Sequence, residues 1–561
     1  MKFAWNWLAF ALGFLVLLAG CAYRPAKPAE VAVVKPDQKT NAPASDSRKI
    51  LAAPAGGSNL VGLSGVLRSN LPSIFIAGDS TAAQGVGEFQ QGWGVLLADY
   101  FDPAKARVNN RARGGRSSRT FVTEGHWDQL LAEVKPGDMV LVQFGHNDSG
   151  APFAVPFRGS LPGFGPETQE GIGREGKLET IHTFGWYLRK MVAETRAVGA
   201  TPILISPTVR NVWKDHRVER GPGRFGSWAE VVAREEHVLC LNLADKMADQ
   251  FELLGEGQVK DWYPKDHTHF NAEGADRHAA AVVSLLKGLR PSPVRSFLSQ
   301  RGAGVEADKF SWLQLPRPAN PGLPSIFLIG DSTVRNGRGD GANQQWGWGD
   351  LLGAQFKEEK INVVNRAVGG MSSRTYLTQG HWETVQSLLR PGDYVLIQFG
   401  HNDNGSATNP PPGRSSLPGV GEESVEVVDP VSHRSETVHT FGWYLRRYVA
   451  EARAKGATPI ICSLVPRKIW KAGRIVRNRD AHAGWAAAVA QSAHVPFIDL
   501  NEIIARHYEE LGPDRVNPLF GDEHTHTTAA GAELNAQCVV EGLNALPNNP
   551  MAPYLLPHPV Q

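Results

Sequence analysis

The sequence predicts an α/β protein of two tandem domains, each a parallel β-sheet covered by helices on both faces. A long segment of the chain is written twice. Within each copy, short apolar runs alternate with helical patterns. Polar residues suited to chemistry follow those runs directly, where a parallel sheet presents the carboxyl ends of its strands.

The duplication comes first because it sets the domain count. LPSIFIAGDST (71–81) returns as LPSIFLIGDST (323–333), and NRARGGRSSRTFVTEGHW (110–127) as NRAVGGMSSRTYLTQGHW (365–382). KPGDMVLVQFGHND (135–148) returns as RPGDYVLIQFGHND (390–403), and ETIHTFGWYLRK (179–190) as ETVHTFGWYLRR (436–447). DHTHFNAEGA (266–275) returns as EHTHTTAAGA (523–532). The nearly constant offset of about 255 residues marks a whole-domain duplication, since solenoid repeats have periods of only about 20–50. The copies are placed at 71–290 and 323–546. Residues 291–322, with Pro and Gly at both ends, read as a linker able to pack on a domain. Residues 547–561 read as a tail.

In copy one SIFIAG, MVLVQFG, TPILIS and VLCLNL are expected as buried strands. WGVLLADYF, HTFGWYLRKMVAETRA and ADRHAAAVVSLLKGL are the helices between and after them. Residues 151–178 and 404–435 are Gly- and Pro-rich loops without a readable pattern, the expected seat of specificity.

Composition agrees with globular domains. Of 561 residues 42% are apolar and 20% charged, which excludes disorder throughout. The 59 glycines have no triplet period, and four cysteines are too few for a disulfide-dense scaffold. A formal charge of +2 gives no reason to expect nucleic acid or an anionic membrane surface as partner. Fifteen Trp are many; core packing accounts for some, and sugar-facing platforms also use this residue.

The first residues read as an address. An apolar run to Leu18 is short for a membrane span but suits a signal peptide. It ends in Leu18-Ala19-Gly20-Cys21, which resembles a bacterial lipobox, so residues 1–20 are expected to be cleaved and Cys21 lipidated. An ordinary secretory signal and an uncleaved anchor are the alternatives. Residues 21–70 read as a flexible tether. The expected location is exported and lipid-anchored to a bacterial membrane, the outer membrane in a Gram-negative host. Cys240, Cys462 and Cys538 lie in apolar contexts and are expected as buried free thiols.

Four blocks carry the chemistry of copy one. Ser80 follows a strand and a Gly-Asp pair, where its hydroxyl can reach the mouth of the sheet. Gly115 has no side chain, so its N–H can face a carbonyl oxygen closely. Asn147, at a strand end in GHND, can donate to the same oxygen. In Asp266-His267-Thr268-His269 the three-residue spacing lets Asp266 orient His269, which can accept the Ser80 proton. Each block alone also fits a turn or a helix cap. Together, in one order and in both copies, they point to a nucleophilic serine. Arg116, Arg119, Trp127, Arg210 and Trp213 are rim candidates; Trp186 and Trp443, within helical patterns, read as core. The pairs His267/His269 and His524/His526 lack a surrounding ligand cluster, so no metal or other cofactor is expected.

With GDST, GGxSSRT, FGHND, DHTH before the last helix and ETIHTFGWYLR, the chain resembles the SGNH (GDSL) hydrolases. The likeness is greatest to the rhamnogalacturonan acetylesterase-like group and covers both copies nearly end to end. The resemblance implies flavodoxin-like three-layer α/β/α domains and an acyl-serine mechanism. It implies Ser80 as nucleophile, Asp266 and His269 as its partners, and the Ser80 N–H, Gly115 and Asn147 as oxyanion hole. The second copy offers Ser332, Gly370, Asn402 and His526. Glu523 stands where copy one has Asp266 and is the acid expected by position; its longer stem changes the geometry, so the alternatives are Asp522 just before it, or neither carboxylate. The substrate implied is an acetylated plant cell-wall polysaccharide. The alternatives are a lipase, thioesterase or cell-envelope acetylesterase, or a second copy that serves as a non-catalytic binding or spacer module.

Overall fold

A computed structural model describes residues 71–85, 89–335, 341, 344–407, 413–428 and 435–557. The signal peptide, the tether and Cys21 lie outside the described residues.

The first copy runs β1 (Ser73–Gly78), α1 (Trp93–Leu96), β2 (Arg107–Asn110), α2 (Ser118–Thr123), α3 (His126–Leu131), β3 (Met139–Gln143), β4 (Thr168–Ile172), β5 (Leu178–His182), α4 (Phe184–Ala197), β6 (Thr201–Ile205), β7 (Trp213–Lys214), β8 (Arg217–Val218), α5 (Phe225–Glu235), β9 (Leu239–Leu241), α6 (Leu243–Leu254), α7 (Glu256–Lys260) and α8 (Ala272–Gly288). Five strands form one parallel sheet in the order β2-β1-β3-β6-β9. The chain leaves β1 for β2 on one side and crosses back to β3 on the other, so a crevice opens at the carboxyl ends of β1 and β3.

The second copy repeats this with β10 (Ser325–Gly330), β11 (Asn362–Asn365), β12 (Tyr394–Gln398), β13 (Ser424–Val428), β14 (Ser435–His439), β15 (Thr458–Cys462), β16 (Trp470–Lys471), β17 (Arg474–Ile475) and β18 (Phe497–Ile498). Its parallel sheet has the order β11-β10-β12-β15-β18.

Strand pleating explains the apolar runs. Ile74 and Ile76 of β1 join a core with Trp93, Leu141 and Val282 on one face. Phe75 and Ala77 join Trp127, Val142 and Met191 on the other. With both faces covered, every second residue cannot be polar, and the strand reads as a continuous apolar run. Two buried polar side chains brace the sheet: Gln143 accepts from the Trp93 indole at 2.7 Å, and Gln398 from Trp348 at 2.8 Å.

The structure revises several expectations. The loop 151–178 includes β4, which pairs antiparallel with β5 in a largely exposed hairpin. The first half of the 291–322 segment completes copy one: Val294 and Leu298 enter its core, and Leu298 bridges Phe101. The expected tail does the same for copy two, where Met551 and Leu555 are buried and Leu555 bridges Phe356. The remaining linker ties the copies together. The Gln314 side chain accepts from the Cys240 N–H on the β9 edge, and Arg366 after β11 donates to the carbonyls of Leu315 and Pro316. The segment thus touches the β9 edge of the first sheet and the residue that follows β11 of the second. Cys240, Cys462 and Cys538 are buried free thiols. Among the described residues no helix is long and apolar enough to cross a membrane.

Candidate active site

Ser80 sits immediately past β1, on a turn made by its neighbours. Asp79 is fully buried, and its Oδ1 accepts from both the N–H and the hydroxyl of Thr81 at 2.9 Å. That turn leaves the Ser80 side chain at the crevice, with the residue 9% exposed. Its Oγ lies 2.8 Å from His269 Nε2, and His269 Nδ1 lies 2.8 Å from Asp266 Oδ2. Asp266 Oδ1 accepts the N–H groups of Thr268 and His269, both at 2.7 Å, which fixes the turn ahead of α8. Burial alone would raise the Asp266 pKa. The His269 ring and the two amides outweigh it and hold the carboxyl below its usual range. An anionic carboxylate at Nδ1 assigns the ring proton there and leaves Nε2 as acceptor for the serine proton.

The remaining predicted residues meet at the same place. Gly115 has φ +76°, a left-handed conformation natural to glycine. A Cβ placed on neighbouring Gly114 would lie 3.9 Å from the Ser80 Cβ, so this turn abuts the serine. Asn147 follows β3 and donates one amide hydrogen to Arg116 O at 3.0 Å, and among the described residues its second amide hydrogen has no partner. Among the described residues the backbone N–H groups of Ser80 and Gly115 have no hydrogen-bond partner. The turn that carries Gly115 abuts the serine, and Asn147 is bonded to that turn, so three donors without partners among the described residues belong to the segments that meet there.

Copy two repeats the geometry with one correction. Ser332 Oγ is 2.9 Å from His526 Nε2, and the Asn402 amide donates to Met371 O at 2.9 Å. The Gly370 φ is +81°. The carboxylate on His526 is Asp522, at 2.6 Å from Nδ1, and not Glu523, whose side chain is 93% exposed and lies 3.7 Å from His524. This turn holds one residue more than in copy one. Asp522 absorbs it by accepting three amides, those of His524, Thr525 and His526, at 3.1, 2.7 and 2.9 Å. Asp522 thus reaches His526 from four residues back, across a wider bend, as Asp266 reaches His269 from three.

Other side chains hold the site from behind. Asp148 accepts the N–H and hydroxyl of Ser118, at 3.1 and 2.5 Å, and locks the GHND turn to the start of α2. Its full burial pushes its pKa up to about 6, as burial does for Asp403. His146 is buried against Thr208 Oγ1 at 2.9 Å, and its desolvation with the charge of Arg210 lowers its pKa to about 3. Both belong to the GHND motif, whose letters alone give them no role; only their buried partners do.

Two rim candidates are buried instead. Arg119 is 2% exposed and clamps Glu179 of β5 with the carbonyls of Pro152 and Gly159, because its five donors can tie a loop to a hairpin. Trp127 is completely buried and bonds Glu194 at 2.6 Å. Arg116 does lie on the rim, paired with Glu124. Half-buried Trp213 bonds Asn211, whose N–H donates to His267 O beside the site; Arg210 precedes it. Trp186 and Trp443 are only half-buried, stacked on His182 and His439 at 3.7 and 3.8 Å.

A serine linked through histidine to an aspartate, with amide donors beside it, is the arrangement serine hydrolases use for acyl transfer. The chain belongs to the GDSL-like Lipase/Acylhydrolase family, whose model matches residues 76–277 and 328–534, once in each copy, and it is an ester hydrolase. It is 35% identical over 219 residues to a rhamnogalacturonan acetylesterase of Emericella nidulans, covering 39% of this chain and 84% of that protein. It is 31% identical over 226 residues to a probable rhamnogalacturonan acetylesterase, YesY, of Bacillus subtilis, covering 39% of this chain and 93% of that protein. Among solved structures, Axe2, an acetylxylan esterase from Geobacillus stearothermophilus, matches at 19% identity and a TM-score of 0.25, over 38% of this chain and 92% of that one.

Proposed function

We propose that both copies are serine esterases that remove O-acetyl groups from plant cell-wall polysaccharide of the pectin or xylan kind. The observation that carries this reading is the repeated Ser–His–Asp relay beside unpaired amide donors. The names of the relatives supply the acetyl-carbohydrate class.

In copy one Ser80 Oγ attacks the ester carbonyl carbon while its proton passes to His269 Nε2. Asp266 keeps the imidazole in place and supports its positive charge. Negative charge on the carbonyl oxygen falls to the Ser80 and Gly115 amides and the free Asn147 hydrogen. The C–O bond to the sugar then breaks, and the sugar oxygen takes the proton from His269. Water, deprotonated by the same imidazole, attacks the acyl-serine, releases acetate and returns the proton to Ser80. Losing one oxyanion donor typically costs about 10²–10³ in rate. Ser332, His526, Asp522, Gly370 and Asn402 play the same parts in copy two. The Asp522 pairing favours a catalytic second copy over a spacer module.

Cys21 is proposed as the lipid attachment point that holds the enzyme on a bacterial membrane, on the strength of LAGC and the tether-like residues after it. Cys21→Ser should release the protein or leave its signal uncut; unchanged fractionation and mass would refute this.

The reading is tested by acetate release from a panel of acetylated polysaccharides, together with p-nitrophenyl acetate and octanoate. Acetate release with strong preference for the acetyl ester supports it. Preference for octanoate with no acetate released from any polymer would make the protein a lipase on the same fold.

A further inference from the structure

The β7–β8 hairpin of copy one joins the catalytic turn to the second copy. Its strands are two residues long, and so short a pair is not stable alone, so what it packs against sets its position. On one side the Trp213 indole donates to Asn211 Oδ1 at 2.7 Å. The Asn211 N–H donates to His267 O, also at 2.7 Å, inside the turn that carries Asp266 and His269. On the other side Arg217 Nη1 donates to Leu389 O, and Arg220 Nη2 reaches Ser387 O at 3.4 Å. Those carbonyls lie at the carboxyl end of the second-copy helix His381–Leu388. A helix end leaves carbonyls without intrahelical partners, and cationic donors suit them. The cavity that Arg217, Arg220, Leu388 and Arg390 help to line is about 30 Å³, large enough only for water.

The second copy keeps the hairpin, Trp470–Lys471 with Arg474–Ile475, and one backbone contact to its catalytic turn, from Lys468 N–H to His524 O at 2.9 Å. The rest of the chain of contacts is missing. Lys468 stands where copy one has Asn211, and the buried Trp470 Nε1 has no partner. Arg474, matching Arg217, is exposed and bonds nothing among the described residues. This hairpin is braced from within: Arg477 Nη1 donates to Ile475 O at 2.9 Å and pairs with Glu509. Arg220, the counterpart of Arg477, is drawn elsewhere, because Asp249 accepts from it at 2.6 Å and copy two has Arg506 at that place. The docking face also belongs to one copy. Leu388 is buried at the contact, whereas the matching Glu133 of copy one is exposed and paired with Arg111.

We propose that Arg217, Trp213 and Asn211 are positioning residues through which the docked second copy holds the catalytic turn of the first, so that turnover at Ser80 depends on a contact that Ser332 does not need. The inference rests on the esterase reading. The turn sets the 2.8 Å approach of His269 Nε2 to Ser80 Oγ. Proton transfer between them needs that geometry, and a misplacement of about 1 Å can cost about 10² in rate. The second copy thus carries one acyl-transfer site and completes the other.

The test reads both serines in one molecule. The full chain is reacted with a fluorophosphonate, and adduct formation at Ser80 and at Ser332 is followed separately by peptide mass spectrometry. Arg217→Gln should slow Ser80 about tenfold and leave Ser332 within about twofold of wild type. Arg217→Lys, which keeps one donor for the single Leu389 carbonyl, should restore most of the rate. Trp213→Phe, which removes the indole donor and keeps an aromatic ring, should slow Ser80 to a similar extent. Adding it to Arg217→Gln should bring little further loss, because both break one chain of contacts. Arg474→Gln should change neither serine. In a Ser332→Ala chain hydrolysing p-nitrophenyl acetate, Arg217→Gln should lower kcat with little change in KM. Unchanged Ser80 labelling in Arg217→Gln overturns the inference. So do equal losses at both serines, which would mean general destabilisation, and fully additive losses from Arg217→Gln and Trp213→Phe. A wild-type chain labelled at neither serine would refute the acyl-transfer reading and the inference with it, whereas normal Ser80 labelling in Arg217→Gln refutes the inference alone.

Discussion

Replacing Asp522 by Asn in a chain already carrying Ser80→Ala isolates the acid of the second copy. The amide is isosteric, so its oxygen can still accept the three N–H groups that Asp522 Oδ1 binds at 2.7–3.1 Å, and the turn survives. The atom 2.6 Å from His526 Nδ1 can now become an N–H donor. That drives the ring proton to Nε2, which then faces Ser332 as a donor and cannot take its proton. A fully buried triad aspartate changed in this way loses about 10⁴ in kcat. The Asp522 side chain is 34% exposed, so water can partly replace it. The expected loss is therefore smaller, about 10²–10³ in kcat with little change in KM. Glu523→Gln, at an exposed carboxylate that does not touch His526, should stay within about twofold of its parent. Steady-state hydrolysis of p-nitrophenyl acetate reads both. If Glu523→Gln caused the large loss and Asp522→Asn the small one, the assigned pairing would be wrong.

Asn147→Ala in a Ser332→Ala chain should lower kcat about 10²-fold, because the amide matters when charge develops on the carbonyl oxygen; a change confined to KM would reduce Asn147 to a binding residue. Asp148 and Asp403 have folded pKa values of about 6, above the ordinary 3.8, so they bind protons more tightly folded than unfolded. Their contribution to stability is complete below about pH 4 and is lost as pH rises through 6. Asp148→Asn with Asp403→Asn should flatten that slope in calorimetric melts, and an unaltered slope would contradict it. Arg119→Leu leaves Glu179 and two carbonyls without their donor and should cost about 3–5 kcal/mol. The loss should appear as faster amide exchange across 151–182, and unchanged protection there would show that the clamp is dispensable.

The sheet was readable wherever burial on both faces removed the polar alternation, as in SIFIAG and MVLVQ. β2 was not, because an edge strand reading Arg-Val-Asn-Asn has little apolar content, and its last residue serves the site region: Asn110 donates to Ala82 O and accepts from Ala112 N–H. The β4–β5 hairpin is exposed along most of its length, so no hydrophobic period marked it. Ser80, His269 and Asp266, read from GDST and DHTH, are hydrogen-bonded to one another in the structure, and Gly115 and Asn147 belong to segments next to them. Matching EHTH to DHTH points to Glu523 because it aligns letters and overlooks the extra residue in the turn, which brings Asp522 to His526 instead. Charge in a sequence suggests exposure, so Arg119 reads as rim although it is buried. Only its carbonyl and carboxylate partners, distant in the chain, explain its burial.

The central claim, two competent acyl-transfer sites on one chain, is tested most directly by intact-mass spectrometry after reaction with a fluorophosphonate. Wild-type protein should take up two adducts, Ser80→Ala and Ser332→Ala one each, and the double variant none. One adduct on the wild type, or an adduct persisting on the double variant, would contradict the account.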